Sequence, residues 1–123
     1  MRVGIFGSKT WSDYMDLVRH ITLFIEQSHH LGHENIIFVH TAQQGAENMV
    51  TEYIGKTERF LKQKQFRIKE EIKRNRGKAV DYFDVIESGI EYAIIFHDGD
   101  KRTQNIPNIL KEYNIPFNMI KKA

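Results

Sequence analysis

Residues 1–11 read MRVGIFGSKTW, and this stretch frames the reading of the whole chain. Val3–Phe6 is a short apolar run that breaks at Gly7 and passes through Ser8, Lys9 and Thr10 to Trp11. Ser12 and Asp13 then supply helix N-caps, and Leu17, Val18, Ile21, Phe24 and Ile25 recur at helical spacing until Gly32 and the polar residues 29–35 end the pattern. A strand, a glycine-bearing turn and an amphipathic helix in that order make a βα unit.

Further units follow the same rhythm. Ile36–Val39 and Tyr92–Phe96 are apolar without alternation, as in strands covered on both faces. Ala46, Met49, Val50 and Tyr53 stand at i, i+3, i+4 and i+7 of a second helix. In the middle, Phe60–Phe66 alternates weakly and reads as a short strand, while Ile68–Arg76 reads as a charged helix. A helix is expected over 81–88, with Val80, Phe83 and Ile86 on one side and Gly89 at its left-handed close. Ile106, Ile109, Leu110 and Tyr113 mark another, with Pro107 in its first turn and Asn114 at its end; Phe117–Ile120 is a last strand. Strands alternating with helices through short loops predict an α/β fold, a mainly parallel sheet of about five strands with helices on both faces, in one domain over 1–123.

Composition narrows the function classes. The absence of cysteine excludes a disulfide framework, a thiolate metal site and a cysteine nucleophile. There is no apolar run of the roughly 18 residues a membrane span needs, and one Arg followed by a strand is not a secretory signal, so a cytoplasmic protein without a membrane partner is expected. The net charge of +2 conceals a basic block: ten Lys and Arg stand against three Glu from Lys56 to Lys78, a local +7. Such a block is a solvated face or a surface for nucleic acid or an acidic protein.

In open parallel sheets, ligands bind outside the carboxyl ends of the strands, where the winding direction reverses. That rule selects three loops: Gly7–Trp11, Thr41–Gly45 and His97–Thr103. In the first, Gly7 admits close backbone approach, the following helix N-terminus favours an anion, Lys9 adds charge and Trp11 offers a ring for stacking. The alternative is a plain strand-to-helix turn. A triphosphatase P-loop is excluded, because Ser8 stands where its second glycine must be. In the second, Gln43 and Gln44 carry amides, Gly45 permits a tight turn, and Glu47 is either a functional carboxylate or compensation for the helix dipole. His40 closes the strand before it, where packing is the commoner role. Arg74 and Arg76 present planar forks for phosphate, with Asn75 between them. In the last loop Asp98-Gly99 forms a turn and Thr103 is expected to cap the next helix; Asp98 and Asp100 lack a third ligand for a metal. The six His show no metal-ligand spacing.

Taken in order, Gly7-Ser8-Lys9 with Trp11, the stretch 41–47 (TAQQGAE), Arg74-Asn75, and Gly99 with Thr103 resemble the SLOG superfamily, and within it the small YspA/YpsA-related family of bacteria and phages. The resemblance implies a Rossmann-like three-layer fold, a nucleotide-derived ligand and a homo-oligomer. Related SLOG enzymes, the Lonely Guy phosphoribohydrolases, carry a Pro-Gly-Gly-x-Gly-Thr-x-x-Glu loop. Here Thr103 is followed by Gln104, Asn105 and Ile106, and a neutral Asn105 cannot do a carboxylate's proton chemistry.

The leading expectation is therefore a protein that binds a nucleotide or nucleotide derivative, sensing or sequestering a signal nucleotide. Gly7, Ser8, Lys9, Trp11, Gln44, Gly45, Arg74, Asn75, Gly99 and Thr103 are the candidate ligand contacts, and no cofactor or metal is called for. Two alternatives stay open: a nucleotide N-glycosidase or hydrolase with Glu47 or Asp98 as acid/base, and an interaction module using the basic segment 56–78.

Overall fold

The three apolar runs near residues 3–6, 36–39 and 92–96 become the central strands of one parallel sheet. The structure, a computed structural model, describes residues 1–64, 66–73 and 82–122. Its elements are β1 (Arg2–Gly7), α1 (Tyr14–His30), β2 (Asn35–His40), α2 (Ala46–Gln63), β3 (Arg67–Ile72), α3 (Tyr82–Glu87), β4 (Tyr92–His97), α4 (Lys101–Gln104), α5 (Ile106–Glu112) and β5 (Phe117–Lys121). The strand order is β3-β2-β1-β4-β5, with every pair parallel. The architecture is Rossmann-like, and the winding reverses between β1 and β4.

Side-chain alternation along the strands divides the core in two. Val3, Ile5, Ile36, Phe38, Ile94 and Phe96 meet Leu17, Ile21 and Ile25 of α1 and Val50 and Tyr53 of α2 on one face. Phe6, Val39, Ala93 and Ile95 meet Val85 and Ile86 of α3 and Ile106 and Leu110 of α5 on the other. Both faces of the sheet are thus covered, which is why these strands read as continuous apolar runs. Asp13 caps α1 by accepting from the Asp16 amide at 3.0 Å.

Two sequence expectations are corrected. Phe60–Gln63 belongs to the last turn of α2, and Arg67–Ile72 is a strand where a charged helix was expected. The i, i+4 spacing of Ile68 and Ile72 imitated a helical stripe, but six-residue pairing with β2 wins. An edge strand tolerates charge, and β3's carboxylates find partners. Glu70 accepts from Thr51 Oγ1 and contacts His40 Nε2, both at 2.8 Å, and Glu71 pairs with Arg2 at 2.5 Å and Lys73 at 2.9 Å. The third correction concerns Thr103, which lies inside α4 and caps nothing; Asp100 holds the N-cap position.

The first two loops touch backbone to backbone. A Cβ on Gly7 would stand 2.4 Å from Ala46 Cβ, and one on Gly45 would stand 2.3 Å from the Ser8 carbonyl oxygen. Gly45 also has φ of 94°, a region that glycine alone occupies without strain. The close approach that Gly7 permits is therefore to α2. Replacing Gly7 by Ala should lower stability by about 1–3 kcal/mol through overpacking. Adding Ala46→Gly should restore part of that loss, because the two methyls collide with each other. A double-mutant cycle in urea would show this coupling, and strictly additive losses would refute the contact.

Candidate functional site

At the switch between β1 and β4 the chain builds a small polar knot. The Ser8 amide extends β1 by donating to the Phe96 carbonyl at 2.9 Å, which brings the first loop against the end of β4. Ser8 Oγ then accepts from the Asp98 amide at 2.8 Å and donates to Asp100 Oδ1 at 2.5 Å. Thr103 Oγ1 donates to the same Asp100 oxygen. With its one proton so committed, Thr103 Oγ1 accepts from His97 Nδ1 at 2.6 Å, which places a ring proton of His97 on Nδ1. Ser8 and Thr103 are fully buried, with their hydroxyl oxygens 3.2 Å apart.

Two of the candidates named from sequence, Ser8 and Thr103, thus meet across more than ninety residues of chain. What lies between them is the protein's own carboxylate. Burial alone would raise the Asp100 carboxyl, but the hydrogen bonds from Ser8 and Thr103 outweigh it and hold it below the ordinary aspartate range. Asp100 occupies the place where a bound anion would accept from those two hydroxyls.

The remaining candidates separate. Trp11 is buried in the α1/α2 face of the core, edge-on to Phe96 with centroids 5.3 Å apart, and its Nε1 donates to the Asp13 carbonyl at 3.0 Å. Its ring is a packing element, and only its rim borders open space. Lys9 and Gln44 are exposed. Lys9, Gln44 and Gly45 line a cleft of about 400 Å³ together with Thr10, the rim of Trp11, Ser12, Asn48, Met49 and Glu52. That volume lies in the range of small-ligand sites. Gly99 forms the left-handed turn after β4, with φ of 79°. Arg74 and Asn75 lie outside the described residues.

The two candidate acids differ in their surroundings. Glu47 is 1% exposed, and its Oε1 accepts from the Thr41 amide at 2.8 Å and from Thr41 Oγ1 at 2.6 Å. It fastens the β2–α2 loop to the first turn of α2. Asp98 Oδ2 lies 4.0 Å from Lys122 Nζ. His40 is fully buried; its Nδ1 accepts from the Ala42 amide at 2.9 Å, which leaves Nε2 to donate to Glu70. Among the described residues no group of three His, Asp or Glu is placed to hold a metal ion, and no helix is long and apolar enough to cross a membrane.

Sequence reasoning passed over one feature here. The Arg102 guanidinium stacks on the Tyr82 ring at 4.1 Å from its centroid. Burial pushes the Tyr82 hydroxyl well above the usual phenol range; Arg102 opposes this, while Glu47 and Asp100 add to it. Tyr82 Oη, Arg102 Nη2 and Glu47 Oε2 are buried without a hydrogen-bond partner among the described residues. The three residues stand 35 and 20 positions apart in sequence, and no local pattern joins them.

A larger cavity, of about 690 Å³, lies at the far end of α2, bordered by Leu61, Phe66 and Ile68. It presents Lys62, Arg67 and Lys69, but Glu34 and Glu58 share its lining and Glu58 pairs with Lys62 at 3.2 Å. None of the candidate ligand contacts among the described residues lines it.

The fold and this edge define an α/β protein with a polar cleft beside its first loop. No protein-family model, curated protein or solved structure matches the chain.

Two expected outcomes test the knot and its neighbours. Asp100's lowered carboxyl stabilises the fold at pH above the ordinary value of 3.8, and this stabilisation disappears as pH falls through the lower folded-state value. Asp100→Asn should therefore cost about 1–3 kcal/mol at neutral pH. The gap from wild type should close on acidification; a gap independent of pH in urea titrations would contradict the network. Tyr82→Phe should change stability by no more than about 1 kcal/mol, since the buried hydroxyl has at best a weak contact with Arg102. A clear loss in thermal melts would mean that the hydroxyl is held.

Proposed function

We propose that this protein binds a nucleotide or nucleotide-derived small molecule at the carboxyl edge of its sheet, in the cleft between the first loop and α2. The observation that carries the reading is the meeting of Lys9 and Gln44, two exposed polar residues chosen from separate loops, in one cleft of about 400 Å³. The Lys9 ammonium takes the phosphate, with the Thr10 and Ser12 hydroxyls beside it. The amides of Gln44 and Asn48 face the sugar or base. The resemblance to SLOG proteins supports the same ligand class.

The phosphate location differs from the one expected at the Gly99–Thr103 loop, where Asp100 holds the hydroxyls. The N-terminus of α1 is capped by a carboxylate, Asp13, so the anion is drawn by the Lys9 charge and not by that helix end. The glycosidase alternative is less favoured because Glu47 is sealed from solvent and fully engaged at Oε1. The interaction alternative is less favoured because Lys56 and Lys62 each pair with a glutamate one turn away on α2.

A thermal-shift screen with AMP, GMP, ADP-ribose, NAD and cyclic nucleotides tests the proposal. A ligand at a hundredfold excess over its Kd contributes about 2.7 kcal/mol, which raises the melting temperature readily. Lys9→Ala should weaken the hit by roughly ten- to a hundredfold through loss of a charged hydrogen bond. If no phosphorylated compound shifts the melt, or Lys9→Ala leaves the shift untouched, the proposal fails.

A further inference from the structure

We infer that the cleft prefers a guanine over an adenine nucleotide, and that Glu52 reads the base; this rests on the nucleotide reading above. Asn48 and Glu52 are four residues apart on α2, so they share one helix face, and both line the cleft. Gln44 stands beside them just before the helix begins. At the other wall, Lys9 marks the phosphate end. The cleft therefore orders its chemistry along α2: cation at the first loop, amides at Gln44 and Asn48, and a carboxylate one helical turn further on.

That carboxylate is half-exposed and is paired one helical turn along α2. Glu52 Oε1 accepts from Lys56 Nζ at 2.7 Å, and Lys56 lies over the Tyr14 ring at 5.3 Å from its centroid. The hydrogen bond with Glu52 and then its charge raise the Lys56 ammonium above the ordinary lysine range. Among nucleobases, guanine offers two adjacent donors, N1–H and the N2 amino group, which a carboxylate accepts side by side. Its O6 is an acceptor suited to an Asn or Gln amide. Adenine presents an acceptor at N1, which a carboxylate repels. The carboxylate is therefore the group that favours guanine, since the two amides would serve adenine N6 and N7 as well. Met49, partly buried, supplies apolar surface in the cleft, Trp11 being sealed into the core.

Calorimetric titration of the full chain with GMP, IMP, AMP and guanosine decides the matter. GMP should bind about ten- to a hundredfold tighter than AMP, the discrimination of one bidentate base contact. IMP, which keeps N1–H and O6 but lacks the N2 amino group, should fall between them. Guanosine should bind more weakly than GMP while lacking any response to Lys9→Ala. In Glu52→Gln the preference for GMP over AMP should shrink to a fewfold; Glu52 is half-exposed, and unchanged melts of the unliganded variant verify its fold. Equal or tighter binding of AMP, or a preference that survives Glu52→Gln, overturns the guanine inference and leaves the nucleotide reading standing. Failure of all four compounds, with no hit in the wider screen, overturns both.

Discussion

The Asp100 carboxylate, gripped by the Ser8 and Thr103 hydroxyls, is the contact around which the carboxyl edge of the sheet is arranged. Charge-assisted hydrogen bonds are about twice as strong as neutral ones; the one from Ser8 joins the loops after β1 and β4, and the one from Thr103 holds the β4 segment in shape to receive it. Through Ser8 the same knot reaches the Asp98 amide, and through Thr103 it reaches His97. The edge is consequently closed at the switch point. Open space lies to one side, between the first loop and α2.

That lateral cleft exists because of a second constraint. Gly7 meets Ala46, and Gly45 meets the Ser8 and Lys9 carbonyls, with no room for a methyl group at either place. The first loop is thereby pinned flat against the start of α2, and its next residues, Lys9 and Thr10, are left exposed over the helix surface. Each glycine makes room for the opposite loop, and together they set where the Lys9 charge stands.

Much of this fold was legible in the chain, and the parts that were not have physical reasons. Val3–Phe6, Ile36–Val39 and Tyr92–Phe96 declared themselves because central strands of a doubly covered parallel sheet are apolar at every position. β3 did not, because an edge strand carries Arg67, Lys69, Glu70 and Glu71 and draws its order from pairing with β2 and from ion pairs formed at a distance. At the site, Lys9 and Gln44 were readable as polar groups in loops that topology must bring to one edge. Trp11 misled, since an aromatic after a glycine loop looks available until its partner Phe96 is in place. The stacking of Arg102 on Tyr82 left no sequence trace at all, as neither a motif nor a period links residues twenty positions apart.

The place of β1 in the sheet also governs how the chain can be made. One neighbour, β2, pairs with it at a separation of 35 residues, but the other, β4, begins only at Tyr92. During synthesis from the N-terminus, the first βαβ unit can assemble early while the second hydrogen-bonding edge of β1 stays bare until Tyr92–His97 has emerged. Contacts of such long range slow folding, and an unpaired apolar strand is a template for unwanted association. Until β4 follows, the apolar Val3–Phe6 stretch is therefore paired on one side alone.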